Sequence, residues 1–166
     1  MESRLPSLLA RADARDTPYS WVVVLGGIND IGSGADPGRV FQGLRALYAA
    51  SRAHGARVLA LTCLPTAYAD MDKPRKRLNA MIRAAAMPLD DGGSSDVSVL
   101  DLEELLPFPR DSSDPAAELW DDGLHLTPAG YDRLGTLVFE ALRDQIGQRT
   151  QDGVGTLGTL NSDPDR

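Results

Sequence analysis

Three short apolar runs constrain this chain more than any other feature: Trp21-Val22-Val23-Val24-Leu25, Arg57-Val58-Leu59-Ala60-Leu61-Thr62 and Val97-Ser98-Val99-Leu100-Asp101-Leu102. The first two are too short for helices and too continuously apolar for strands with one wet face, so they read as strands buried on both sides. Helical periodicity fills the gaps. Leu5, Leu8, Leu9 and Ala12 share one face ahead of the Asp16-Thr17-Pro18 breaker. Asp36 suits an N-cap and Pro37 a first helical turn, with Val40, Leu44, Leu47 and Tyr48 recurring behind them. Residues 66–74 read as a loop and 75–87 as a helix with Leu78, Met81, Ile82 and Ala85 inward; 90–95 is an acidic, Gly/Ser-rich loop. The stretch 107–122 is irregular, with a short helix at 116–120. Thr127-Pro128 then opens a helix whose apolar stripe is Leu134, Leu137, Val138, Ala141, Leu142 and Ile146. Beyond Gly147 apolar anchors are few, so the reading is one domain over 1–146 and a disordered tail over 147–166.

Strands alternating with helices predict an α/β fold with a parallel sheet covered on both faces. Working residues in such folds lie beyond the carboxyl ends of the strands. Here those loops start at Gly26, Cys63 and Glu103.

Bulk properties remove several functions. A net charge of −7 and a pI near 4.7 oppose binding to nucleic acid, which needs a basic surface. The local basic run 73–77 reads as a solvated loop or helix start. Cys63 is the sole cysteine, which excludes an internal disulfide and a cysteine-based zinc site; after an apolar run, a buried inert thiol is expected. No segment is long and apolar enough for a membrane span, and Met1 leads directly into polar Glu2, Ser3 and Arg4 without a leader pattern. On these grounds the chain as given is expected to be cytoplasmic, with a signal peptide on a longer parent protein as the alternative.

Two motifs carry chemistry. Gly26-Gly27-Ile28-Asn29-Asp30 follows the first strand, and Asn29 offers an amide able to donate to an oxyanion. The same residues equally make a plain turn. They do not form a phosphate-binding G-x-G-x-x-G, and no G-K-[ST] follows. The second motif is Asp122-Gly123-Leu124-His125, ahead of the Pro128 helix. A histidine acting as general base needs an acceptor on its proton-bearing nitrogen, and an aspartate three residues upstream across a glycine can fold back to supply it. A solvated surface loop is the competing reading. Two acids and one histidine make a poor transition-metal set, so no metal is expected. Asp121 reads as the solvated neighbour.

Together the motifs resemble the SGNH (GDSL-type) hydrolase family over residues 5–146. Its G-x-N-D block matches Gly27-Ile28-Asn29-Asp30, and its D-x-x-H block matches Asp122-Gly123-Leu124-His125. The resemblance implies a flavodoxin-like three-layer sandwich, with His125 as general base, Asp122 as its orienting acid and Asn29 as an oxyanion-hole donor, supported by Gly27 and Asp30. It also implies hydrolysis of a small-molecule carboxylic ester through an acyl-enzyme, without a cofactor. The ordinary α/β-hydrolase pattern fits worse, because no G-x-S-x-G is present.

The likeness breaks upstream. The family's Gly-Asp-Ser block should precede Gly27, yet the only serines there are Ser3, Ser7 and Ser20, and no glycine precedes Gly26. The expectation is a chain that begins after that block, lacks the first two strands of the sheet, and leaves the 21–25 strand as an open edge. Such a chain keeps the base and one amide but not the nucleophile, and a catalytically inactive or binding domain of the same fold is the alternative.

Overall fold

The computed structural model describes residues 4–86 and 97–152. The loop expected at 90–95 and Ser3 lie outside the described residues. Three parallel strands, β1 (Trp21–Val24), β2 (Arg57–Leu61) and β3 (Val97–Leu100), form a sheet in the order β1-β2-β3. Trp21 pairs with Arg57, and Val58 with Val97. Helices cover both faces, as the α/β reading requires.

One face carries α1 (Arg4–Asp13), the short α2 (Ile28–Gly32), α3 (Pro37–Ala53) and α4 (Ala69–Ala84). Val24, Val58 and Ala60 point into this layer against Leu44, Leu47, Leu78 and Ile82. The opposite face is covered by α6 (Pro128–Asp152), with α5 (Leu102–Leu105) and a 3₁₀ turn over Pro115–Leu119 beside it. Leu59 and Leu61 point that way, toward Leu102, Leu106, Trp120 and Leu137. The period-two alternation of a strand thus splits each run between two cores. β2 lies between the other strands, and its Val58 and Ala60 are wholly buried.

Local signals act as read where the chemistry is strong. The Asp36 carboxylate accepts from the N–H groups of Gly38 and Arg39 at 2.9 and 3.1 Å, capping α3 ahead of Pro37. Thr127 Oγ1 accepts from the Gly130 N–H at 3.1 Å at the start of α6.

Four readings are corrected. β1 is not buried on both faces: Val23 is 42% exposed because β1 sits at the sheet edge. α4 begins at Ala69, so 69–74 is helix rather than loop. Pro74 removes one helical N–H, but Asp70 and Asp72 favour the positive helix start, and Asp72 pairs with Arg75 and Lys76 at 2.8 Å each. The basic run 73–77 therefore lies on a helix, and Arg75 within it is buried against Glu103 at 2.7 Å. Finally, α6 runs through Gly147 to Asp152, since Gln and Arg are good helix formers and one glycine costs only about 1 kcal/mol. Residues 153–166 lie outside the described residues.

Gly27 links the sheet to α2 with φ at 103°, in the left-handed region. A Cβ there would stand 2.7 Å from Leu78 Cδ2 and 3.0 Å from Val40 Cγ1. Gly27→Ala is therefore expected to destabilise the fold by about 1–3 kcal/mol, from backbone strain and overpacking together. A urea midpoint equal to that of the unsubstituted protein would contradict this.

Candidate active site at the carboxyl ends of the strands

Asp122 and His125 stand on a loop closed by an antiparallel bridge between Trp120 and Leu126 and by the Asp121 N–H donating to the His125 carbonyl at 3.0 Å. Within that loop the Asp122 carboxylate is fully used. Oδ1 accepts from the backbone N–H groups of Leu124 and His125, at 2.6 Å each. Oδ2 lies 2.9 Å from His125 Nδ1. The arrangement assigns the proton to Nδ1 and leaves Nε2 with its lone pair outward, the tautomer a general base requires. The imidazole hydrogen bond, and then the two backbone donors, hold the Asp122 carboxyl down at about 2. Both side chains remain open to water, at 62% for His125 and 50% for Asp122.

The loop is fastened to the sheet. The Ala67 N–H donates to the Gly123 carbonyl at 2.9 Å, joining the β2 exit to the 121–125 loop. Gly123 is needed for that approach, because a Cβ there would stand 2.9 Å from the Ala67 Cβ. The β1 exit is fastened to the same place: the Cys63 thiol donates to the Gly26 carbonyl at 3.4 Å. Asn29 lies one residue into α2, exposed, on that exit, and Asp30 follows it, also exposed. The structure thus places the G-x-N-D and D-x-x-H motifs at the same end of the sheet, each tied to the β2 exit.

Two of the upstream serines fall among the described residues. Ser20 immediately precedes β1, at the opposite end of the strand, where its carbonyl accepts from the Arg57 N–H at 3.0 Å. Ser7 is exposed on α1. Burial pushes the Cys63 thiol up to about 12, so it is protonated and inert at neutral pH, in line with its sequence context.

A polar cluster beneath the loops was not foreseen. Asn79, fully buried on α4, accepts the Cys63 N–H at 2.7 Å and returns its amide to the Cys63 carbonyl at 2.9 Å. It also donates to Glu103 at 3.1 Å. Arg83 bridges Asp101 and Glu103 at 2.9 and 2.7 Å, and Thr62 donates to Asp101 at 2.9 Å. Arg75 and Asn79 share a helix face with Leu78 and Ile82, so polar residues at inward positions were the available signal. The expected inward residue Met81 is only partly buried. His54, at the C-terminal end of α3, has an almost buried side chain, bonded to Asp13 at 3.0 Å and accepting the Tyr19 N–H at 3.0 Å.

A parallel α/β sheet with an oriented Asp–His pair at its carboxyl end is an arrangement that hydrolase chemistry can use. Residues 1–133 match the GDSL-like lipase/acylhydrolase family, and the chain belongs to that family. No curated protein matches the chain significantly. Among the described residues, no helix is long and apolar enough to cross a membrane.

Burial would raise the Asp101 and Glu103 carboxyls, but hydrogen bonds from Arg83, Thr62, Asn79 and Arg75 outweigh it and leave both below their ordinary values. Asp122 is lowered as well. The unfolded chain therefore takes up protons first on acidification. Stability from these groups is complete above the unfolded carboxylate range of about 4 and is lost as pH falls through it toward the folded values. In a carboxyl-detected NMR titration Asp122 is expected to titrate near 2, and His125→Ala to move it upward. An Asp122 midpoint at the ordinary carboxylate value in the unsubstituted protein would show that the pair does not form in solution.

Proposed function

We propose that residues 1–146 form one SGNH-type domain built for carboxylic ester hydrolysis, with His125 as general base, Asp122 as its orienting acid and Asn29 as a donor to the developing oxyanion. The observation that carries the reading is the Asp122 carboxylate, which fixes the imidazole tautomer with one oxygen and its own loop with the other. Gly27 supports Asn29 by allowing the tight exit from β1, and Asp30 closes the turn that presents it: its carbonyl accepts from the Ala35 N–H at 2.9 Å. The substrate class is a small-molecule ester, and the route in the family's chemistry is an acyl-enzyme.

That route needs a hydroxyl nucleophile beside His125. Ser20 lies at the opposite end of β1, Ser7 is exposed on α1, and Ser3 lies outside the described residues. With a base and one amide donor alone, His125 activates water rather than a serine. Removing a member of a triad leaves about 10³–10⁴-fold acceleration over water, contributed by the oxyanion hole and binding. The exposure of the pair favours a second reading, a domain of this fold that binds without turnover, since open water weakens the electrostatic effects an active site relies on.

The test is the purified chain with short-chain aryl esters and a fluorophosphonate probe. Slow hydrolysis that falls to background in His125→Ala, with no labelled serine, is expected. A fluorophosphonate adduct on a serine of this chain would mean that it holds its own nucleophile. Hydrolysis that survives His125→Ala would remove His125 from the reaction. The absence of any turnover would favour the binding domain.

A further inference from the structure

The first turn of α4 stands between the two halves of the proposed site. On one side Met71 reaches α2, the helix of Asn29: a Cβ at Gly32 would lie 3.3 Å from Met71 Cε. On the other side the Ala67 N–H holds the Gly123 carbonyl at 2.9 Å, next to Asp122 and two residues before His125. Between these contacts lies Tyr68, the N-cap of α4. Its ring stands beside the bare Cα of Gly123, where a Cβ would come 3.6 and 3.7 Å from the ring atoms Cε2 and Cζ. Tyr68 follows β2, the strand with a neighbour on each side, and none of these contacts involves the outer edge of β1.

Core packing does not account for this ring. Tyr68 is 50% exposed and belongs to neither apolar core. Its backbone is nevertheless held at both polar groups. The Tyr68 N–H donates to Thr66 Oγ1 at 3.0 Å, and its carbonyl accepts from the Met71 N–H at 3.1 Å. A flat side chain presented from a held backbone loses little freedom when a ligand covers it, since a tyrosine has only two side-chain torsions. The surrounding charges narrow the ligand. Asp30, Asp70, Asp121 and Asp122 are all exposed at this end of the sheet, against Lys73 as the cation nearest Tyr68 in the chain. That balance opposes an anionic group here.

We propose that Tyr68 is a specificity-determining residue of this site, stacking against a flat, uncharged ring that adjoins the ester bond, as in an aryl ester. This rests on His125 being the base of the site, and it names the substrate group that the base would serve. A ring seated on Tyr68 lies next to Gly123, which brings the adjoining ester toward the Asp122–His125 pair. The bare Gly123 leaves room for that approach, because a side chain there would meet the Ala67 Cβ and the Tyr68 ring first. Stacking of an aromatic pair contributes roughly two- to tenfold in affinity beyond the area it buries. The contact is made by the ring face, so the phenol hydroxyl is not required for it.

The test is an NMR titration of the full chain with acetanilide, the amide analogue of phenyl acetate, read on the imidazoles of its 2 histidines. His125 is expected to shift, and His54, at the amino end of the strands, to stay still. N-propylacetamide, which has no ring, is expected to bind about two- to tenfold more weakly. Tyr68→Ala is expected to weaken acetanilide by a similar factor, and Tyr68→Phe, which keeps the ring, to retain its affinity. An unmoved His54 signal in each variant checks that the fold is intact. Equal binding of the two amides, acetanilide affinity unchanged in Tyr68→Ala, affinity lost in Tyr68→Phe, or no shift at His125 would each overturn the proposal. The titration needs no turnover, so its failure is separate from a failure of His125 in ester hydrolysis, which the aryl-ester assay reads.

Discussion

The hydrogen bonds between the Asn79 side chain and the backbone of Cys63 hold the point from which the loop end of the molecule is built. Where a parallel strand ends, its backbone groups lose their ladder partners, and at a buried position each unpaired group costs on the order of 1–3 kcal/mol. Cys63 is at such a position, 1% exposed and just past β2. The Asn79 amide satisfies both its N–H and its C=O, so the chain can leave the sheet without breaking the core. From there the Cys63 thiol reaches Gly26 at the β1 exit, and Ala67 reaches Gly123 in the Asp–His loop. The proposed site geometry is thus inherited from a buried amide on α4 that takes no part in it.

This dependence explains which parts of the molecule were legible in the sequence. The strands, the capped helix α3 and the Thr127-Pro128 start of α6 announce themselves through local chemistry, because period and capping are set by neighbours in the chain. The Asp122–His125 contact was also local, spanning three residues and one glycine. The Asn79–Cys63 clamp and the Arg83 bridge between Asp101 and Glu103 join residues brought together by the sheet, and nothing within a few residues of Asn79 identifies its partner. Pro74 misled for a related reason. It reads as a breaker in isolation, whereas the acidic first turn and the Asp72 ion pairs keep α4 intact through it. The relation of Asn29 to the Asp–His loop likewise rested on the family pattern, since the turn after β1 looks the same whether or not it serves a site.

The Asp–His pair has an electrostatic character of its own. Asp122 is held as a carboxylate by donors from its own loop, so it keeps its charge whether or not His125 is protonated. A carboxylate secured in this way orients an imidazole without competing for its proton, which separates orienting from base function. The water around the pair limits that advantage, because the stabilisation of an imidazolium by a nearby carboxylate falls as the effective dielectric rises. Whatever covers this end of the sheet would strengthen the pair without moving an atom of it.

The same tension between composition and position governs β1. A run of three valines beside a tryptophan is suited to burial on two faces, and on its inner side it obtains this: Val24 is 5% exposed and Trp21 packs with the α6 layer, where Arg57 stacks 4.4 Å above its ring. On the outer side the same run leaves Val23 and Leu25 partly in water, at 42% and 41% exposed. Surface apolar residues scattered singly need no explanation. Among the described residues β1 has a neighbour on one side only, so here composition and position disagree.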